Sequence, residues 1–488
     1  MEIERPKKAD TIKLLSTYKS SVTGNLVRPD CQGYKNVSEQ FILKDSQKKY
    51  DIQYWKTYFK RLDQIKEYFM SNFSEESIPI CDKILNIKVG EHQVVIATLY
   101  KDMKLKPNVL TVSQQRDNYM ADDDVIYMED QTGRMQLAFN NTQFKSSISK
   151  PKTIDVKNLT SGLVVGIRGI QRVAEINVFE VEEIYCCDLP HQEHILKIPA
   201  PLTYGDDSHL ENNNNFHDLS HYIKNYQDHK FILLTSGLNI DPNVDRYTLI
   251  QLKNHLFGLT NLKPLMSRVC RVVMAGNLIE KNKDLDYNLV GSYRMQEQFK
   301  QLYAEIAKKM HDVDKNINEI AGNVCLDIMP GDKDPAQAFL PQQSLNKCYF
   351  ASSKSIPTLN LVSNPYKFEQ ENIQILGVSG QSMLDIKKYS NYSDQDIDIL
   401  QSHLLWRHIS PTSPDTLQCF PFHESDPFIL DELPHVYFSG NSPKFETKMV
   451  YEENTKKRCR LICVPALSAS NSFVIMNLAN LDTFEIKL

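Results

Sequence analysis

A basic excess is missing from this chain. Across 488 residues, 56 Lys and Arg stand against 61 Asp and Glu, a formal net charge of -5. Proteins that grip duplex DNA directly draw much of their affinity from neutralising phosphates, so any DNA contact is expected to be local or indirect. Long apolar runs are missing too: none approaches the ~20 residues needed to cross a bilayer, and no membrane role is expected. The opening MEIERPKKAD has no apolar core of the kind a signal peptide needs. The ten cysteines include no CxxC pair, and Cys459 with Cys463 has no second half nearby. Cys270, Cys325 and Cys463 lie inside apolar runs, where a thiol acts as a small core residue. These absences point to a reducing, aqueous compartment, cytosol or nucleus. Internal repeats are absent as well.

What is present divides the chain. Its length calls for two or three domains, and 41% hydrophobic residues suffice for real cores. Residues 1–45 are polar and irregular and read as a flexible lead-in. An amphipathic helix follows, with Ile52, Trp55, Phe59, Leu62, Ile65 and Phe69 on one stripe and Lys56, Lys60, Lys66 and Glu67 opposite. From about 80 to 190 come five β-rich segments, 94–100, 125–130, 134–139, 163–170 and 175–185, which suit a small OB-type barrel. Its aromatics, Tyr100, Tyr127, Phe139 and Phe179, lie among Glu129, Asp130, Glu180, Glu182 and Glu183. That mixture favours a barrel contacting protein over one binding single strands, which remains the alternative. Helix and barrel together are assigned 46–200, and the Asn-rich 201–229 a solvated linker. Beyond 230, strands and helices alternate to the C-terminus, which predicts a layered α/β domain over 230–488.

In layered α/β proteins ligands collect at strand ends. Here those ends read Thr235-Ser236-Gly237-Leu238, Gly276-Asn277-Leu278, Pro330-Gly331-Asp332-Lys333-Asp334, Gly377-Val378-Ser379-Gly380 and Ser439-Gly440-Asn441-Ser442. Their succession resembles the calcineurin-like metallophosphoesterases, whose strand ends carry DxH, GDxxD, GNHD or GNHE, and GHxH. Two metal ions need those carboxylates, amides and imidazoles to orient a hydroxide on phosphorus. In this chain Ser236 and Leu238 stand where Asp and His belong, and Asn277 replaces the bridging Asp. Gly331-Asp332 replaces the Gly-Asn-His core, and Gly440-Asn441 lacks both histidines. The resemblance therefore implies a degenerate site without catalytic residues, metal or cofactor. A glycine at a strand end can also serve only a tight turn, and that plainer reading stays open for each one. Asp332 and Asp334 are expected in a solvated turn; His408 and His435 as core or loop histidines.

Longer words narrow the resemblance. RVVMAGNLIE (271–280), LDIMPGDKDPAQAFLPQQSL (326–345) and ILGVSGQSMLDI (375–386) resemble the B-subunit family of eukaryotic replicative DNA polymerases. WRHISPTSPDTLQCFPF (406–422), DPFILDELPHVYFSGNSPKF (426–445) and the upstream QYWKTYFKRLDQI (53–65) are similar to its delta branch. An alpha-type B subunit is the alternative. The delta likeness implies a nuclear, non-catalytic scaffold for replication and repair, with an OB barrel docked on an inactive phosphoesterase domain. It implies as partners the metal-binding C-terminal domain of the catalytic subunit and a third, elongated subunit. In some lineages it implies the polymerase zeta catalytic subunit too. Phe339, Leu340, Pro341, Trp406, Phe420 and Phe422 are the candidate contact residues, because aromatics dominate interface energies; an ordinary packed loop is the other reading.

Overall fold

Two six-stranded sheets stacked face to face dominate the molecule, and a closed barrel leans against one side of the stack. The structure is a computed structural model. It describes residues 26–29, 33–44, 48, 51, 53–72, 79–107, 116–146, 149–153, 155–172, 177–196, 228–241, 247–280, 293–392 and 396–488. Ile52 and most of the expected linker, through 227, fall outside these residues.

The lead-in is more ordered than its composition suggests. Strand β1 (Lys35–Asn36) pairs antiparallel with Tyr366–Gln370, and the Phe41 side chain is buried. Arg28 donates to the carbonyls of Leu256, Met266 and Val269. Pairing at a sheet edge and capping of bare carbonyls hold this polar segment in place. For residues 26–29 and 33–44, the expectation of a flexible segment is corrected.

Helix α1 (Trp55–Asn72) buries Thr57, Arg61, Leu62, Ile65 and Phe69, an i, i+4, i+5, i+8, i+12 pattern. Trp55, placed on the apolar stripe by sequence, is 49% exposed. The buried face lies on the outer surface of two barrel strands at Val94, Ile96 and Val164.

The barrel comprises β2 (Ile80–Cys81), β3 (His92–Asp102), β4 (Val125–Glu129), β5 (Arg134–Ser146), β6 (Ser149–Thr153), β7 (Val164–Gln171) and β8 (Val178–Tyr185). The order β3-β4-β5-β8-β7 closes through a β3–β7 pairing that runs from His92↔Ile170 to Thr98↔Val164. All five expected strands are present. Alternate residues point inward, so Val95, Ala97, Leu99, Met128, Leu137, Val165 and Ile167 fill the barrel.

The first large sheet has the order β12-β11-β10-β9-β18-β19, from β9 (Phe231–Thr235), β10 (Val269–Ala275), β11 (Cys325–Met329), β12 (Leu359–Leu361), β18 (Ser472–Asn477) and β19 (Thr483–Lys487). The second has the order β1-β13-β14-β15-β17-β16, from β13 (Tyr366–Gln370), β14 (Ile373–Val378), β15 (Val436–Ser442), β16 (Glu446–Tyr451) and β17 (Arg458–Pro465). Central strands such as FILLT and VCRVVMA are buried at every position. One face meets the opposite sheet, at Leu234, Val273, Phe368 and Phe438. The other face meets helices, which is why these strands read as unbroken apolar runs. Helices α2 (Tyr247–Leu256), α3 (Lys263–Met266) and α4 (Tyr293–Ala321) cover the first sheet. Helices α5 (Gln381–Tyr389) and α6 (Asp396–Leu405) cover the second. The short α7 (Leu467–Ser470) joins β17 to β18. Met310, Val313, Ile317 and Ile320 of α4 are buried, whereas Tyr303 in its first half is 65% exposed. The barrel interior and the α5–α6 layer form one continuous apolar cluster, so the barrel is packed on rather than tethered.

Candidate functional site

The strand ends named by sequence converge where the two sheets meet. Gly237 N donates to Gly276 O at 3.0 Å, and Asn239 N to Asn277 O at 3.0 Å. Gly276 has φ 78°, and a Cβ there would lie 2.7 Å from Gly331 Cα and 2.9 Å from Ser379 Cβ. The turns thus touch through bare backbone, which a side chain would push apart.

Polar side chains then brace the turns. Asp334 Oδ2 accepts from Asn277 N (2.9 Å) and Gly331 N (2.8 Å), while Oδ1 accepts from Leu278 N (2.7 Å) and Ile279 N (3.3 Å). Burial pushes its carboxyl up to about 6, and the four backbone N–H groups pull the other way. The expectation of a solvated Asp-Lys-Asp turn holds for exposed Asp332 and fails for buried Asp334. Four converging backbone donors keep the buried carboxyl satisfied, although they offset only part of its desolvation. Between them, Lys333 Nζ donates to the Glu280 carboxylate at 2.9 and 3.1 Å and to Asn239 Oδ1 at 3.2 Å.

Asn441 crosses from one sheet to the other. Its Nδ2 donates to Ala275 O (3.0 Å) and Ser379 O (2.9 Å), and its backbone N to Ser236 Oγ (2.8 Å). Ser236 Oγ in turn donates toward Val464 O and Pro465 O, at 3.2 and 3.1 Å. Gly440 packs on Ala275 and Ser236, and Leu238 turns into the core of the first sheet. Of the ten strand-end residues singled out by sequence, eight come together, Leu238 points into the core and Asp332 faces solvent. Among the described residues, no group of three or more His, Cys, Asp or Glu side chains has an arrangement that could hold a metal ion. Ser379, from the strand end Gly377–Gly380, joins the junction through Oγ to Pro330 O (2.6 Å), and its N donates to Asn364 Oδ1 (3.0 Å), a residue that the sequence does not single out. No spacing rule marks Asn364.

The six candidate contact residues separate. Phe339 is 39% exposed and lies 5.8 Å, centroid to centroid, from buried Phe420. Leu340, Pro341 and Trp406 are buried, and Phe422 is half-buried, edge-on to Phe428 at 6.0 Å. The expectation of a contact loop is therefore corrected for Leu340, Pro341, Trp406 and Phe420, whose side chains are spent on internal packing. The same loop instead meets α1: Tyr54 Oη donates to Cys419 O (2.8 Å) and Thr57 Oγ1 to Phe422 O (2.7 Å).

Beside it lies a buried ionic cluster that sequence reasoning missed. Arg61 Nε donates to Asp426 Oδ2 at 2.7 Å, with both side chains fully buried. His408 Nε2 contacts the same oxygen at 3.0 Å. Burial opposes ionisation of Asp426, but Arg61 and His408 overcome it and hold the carboxyl well below the usual range. Burial, with the Arg61 charge, lowers His408 to about 4. Both His408 and His435 are buried, the latter with Nδ1 accepting from Gln374 N at 2.9 Å.

The barrel and the two-sheet unit are each matched by a family model, and together they make the chain a B subunit of a replicative DNA polymerase. Residues 53–184 match the model of the DNA polymerase delta subunit OB-fold domain, and 232–447 that of the DNA polymerase alpha/epsilon B subunit. The DNA polymerase delta small subunit of Arabidopsis thaliana is 31% identical over 92% of this chain and 94% of its own length. That of Saccharomyces cerevisiae is 29% identical over 93% of both chains. DNA polymerase delta subunit 2 of Drosophila melanogaster is 29% identical over 92% of this chain and 96% of its own. The chain belongs to the DNA polymerase delta small subunit family.

Proposed function

We propose that the chain is a non-catalytic scaffold of nuclear DNA polymerase delta, built on a calcineurin-like shell whose reaction centre has become a brace. The observation that carries this reading is the strand-end junction. The Asp334 carboxylate and the Asn441 amide nitrogen are spent on backbone groups of neighbouring turns, and Gly276 packs directly on Gly331. In a working two-metal hydrolase these positions present ligands to open space. A rigid, cross-braced shell suits an adaptor, because little entropy is lost when it docks. Its partners are the C-terminal metal-binding domain of the catalytic subunit and a third, elongated subunit.

Co-expression with the cognate catalytic subunit tests the reading: a stable complex should survive gel filtration, and two separate peaks would remove the scaffold role. Hydrolysis of a phosphodiester with added manganese that was abolished by Asp332→Ala would restore the enzyme reading. Single-strand binding by the barrel is disfavoured by charge. Arg134 stacks over Tyr100 at 4.3 Å, but its guanidinium is paired with Glu129.

A further inference from the structure

At the N-terminus of α5, nine residues long, the helix is capped by Gly380 with φ 98° and receives no side-chain cap bond. Its first turn therefore offers backbone N–H groups without help from its own cap. Beside it is a pocket lined by Leu340, Asn364, Gln381, Ser382, Ser410 and Phe428, among others, with room for a water's centre over ≈ 10 Å³. That space matches one water and excludes a phosphate or any organic ligand. Ser382 lines it and is 4% exposed, and among the described residues its Oγ has no hydrogen-bond partner.

We propose that this pocket is a binding site for a single structural water, held by Ser382 Oγ and linking α5 to the loop at Ser410. A buried water needs two to four polar neighbours. Ser382 supplies one hydroxyl and Ser410 another. The Ser410 hydroxyl contacts Ser413 Oγ at 2.8 Å and keeps capacity for a second bond. The site bears on how the two units are joined. Pro411 and Ser413, next along this loop, supply the carbonyls that accept from Arg61, at 2.8 and 2.7 Å. A water tying the loop to α5 fixes those acceptors from behind.

The sign of one substitution separates the wet site from a dry one. If the water is bound, Ser382→Ala removes one of its anchors, and the melting midpoint of the full chain falls by about 1–2 °C. If the site is dry, Ser382 is an unsatisfied buried hydroxyl, and its removal leaves the midpoint unchanged or raises it. Either of those two results overturns the proposal. A crystal structure of the full chain, at a resolution that reveals buried waters, should contain one density peak within hydrogen-bond distance of Ser382 Oγ. Closed packing without a peak there overturns it independently.

Discussion

Arg61 of α1 and Asp426 of the loop before β15 form a fully buried ion pair at 2.7 Å between the barrel unit and the two-sheet unit. The remaining Arg61 donors reach Gly162 O (3.2 Å), Pro411 O (2.8 Å) and Ser413 O (2.7 Å). One guanidinium therefore gathers a barrel turn and two segments of the larger unit. Its planar fork suits this, and the single ammonium of a lysine would not.

Arg61→Ala is expected to destabilise the chain by about 3–5 kcal/mol, because it leaves Asp426 buried without its cationic partner. Chemical denaturation measures this. The double variant Arg61→Met with Asp426→Leu should recover part of the loss, since no stranded charge remains. Equal losses in single and double variants would count against the pair as the source.

His408 sets a pH dependence. Its folded value of about 4 lies below its ordinary 6.5, so between these values the unfolded chain binds the extra proton. The contribution is full above 6.5 and is lost as pH falls toward 4, with a slope approaching about 1.4 kcal/mol per pH unit. Denaturation midpoints of the wild type and His408→Gln across pH 4–7 should diverge in slope over this window. Parallel curves would contradict the assignment.

Asp334 acts with the opposite sign. Its folded value, about 6, is raised from 3.8, so the folded chain holds the extra proton and this contribution declines as pH rises between them. Asp334→Asn should cost about 1–3 kcal/mol at neutral pH, because an amide nitrogen then faces backbone donors. It should also steepen the net rise of stability between pH 4 and 6. Urea midpoints read at several pH values test both effects.

Trp55 and Phe339 carry large exposed rings on adjoining segments, joined through Tyr54 to Cys419 and through Phe339 to Phe420. Trp55→Ala is expected to weaken binding to the catalytic subunit at least tenfold and to leave the melting midpoint of the free chain unchanged. Calorimetric titration gives the first quantity and thermal unfolding the second. Unchanged affinity in Trp55→Ala and Phe339→Ala alike would place the contact elsewhere.

Much of the architecture was legible because its signals are local. The β-rich runs at 94–100 and 163–170 marked barrel strands, and the closed order of strands agrees with that. Strand-end glycines such as Gly276 marked turns, and those turns meet. Site chemistry was less legible. Asp334 reads like a surface carboxylate, and Arg61 like one more cation on a basic helix. Only the four backbone donors around the first, and the buried acceptors around the second, reveal what each does.

By itself the sequence determined the element types and their order, the residue types at the strand ends, and the likeness to polymerase B subunits. Those properties reside in residue identity and short-range periodicity. The tertiary structure decided which polar groups were buried, that the Trp406–Phe422 loop turns most of its aromatic residues inward, and that barrel and sheets share one core. Burial and pairing depend on groups hundreds of residues apart, such as Arg61 and Asp426, and no local pattern encodes that meeting.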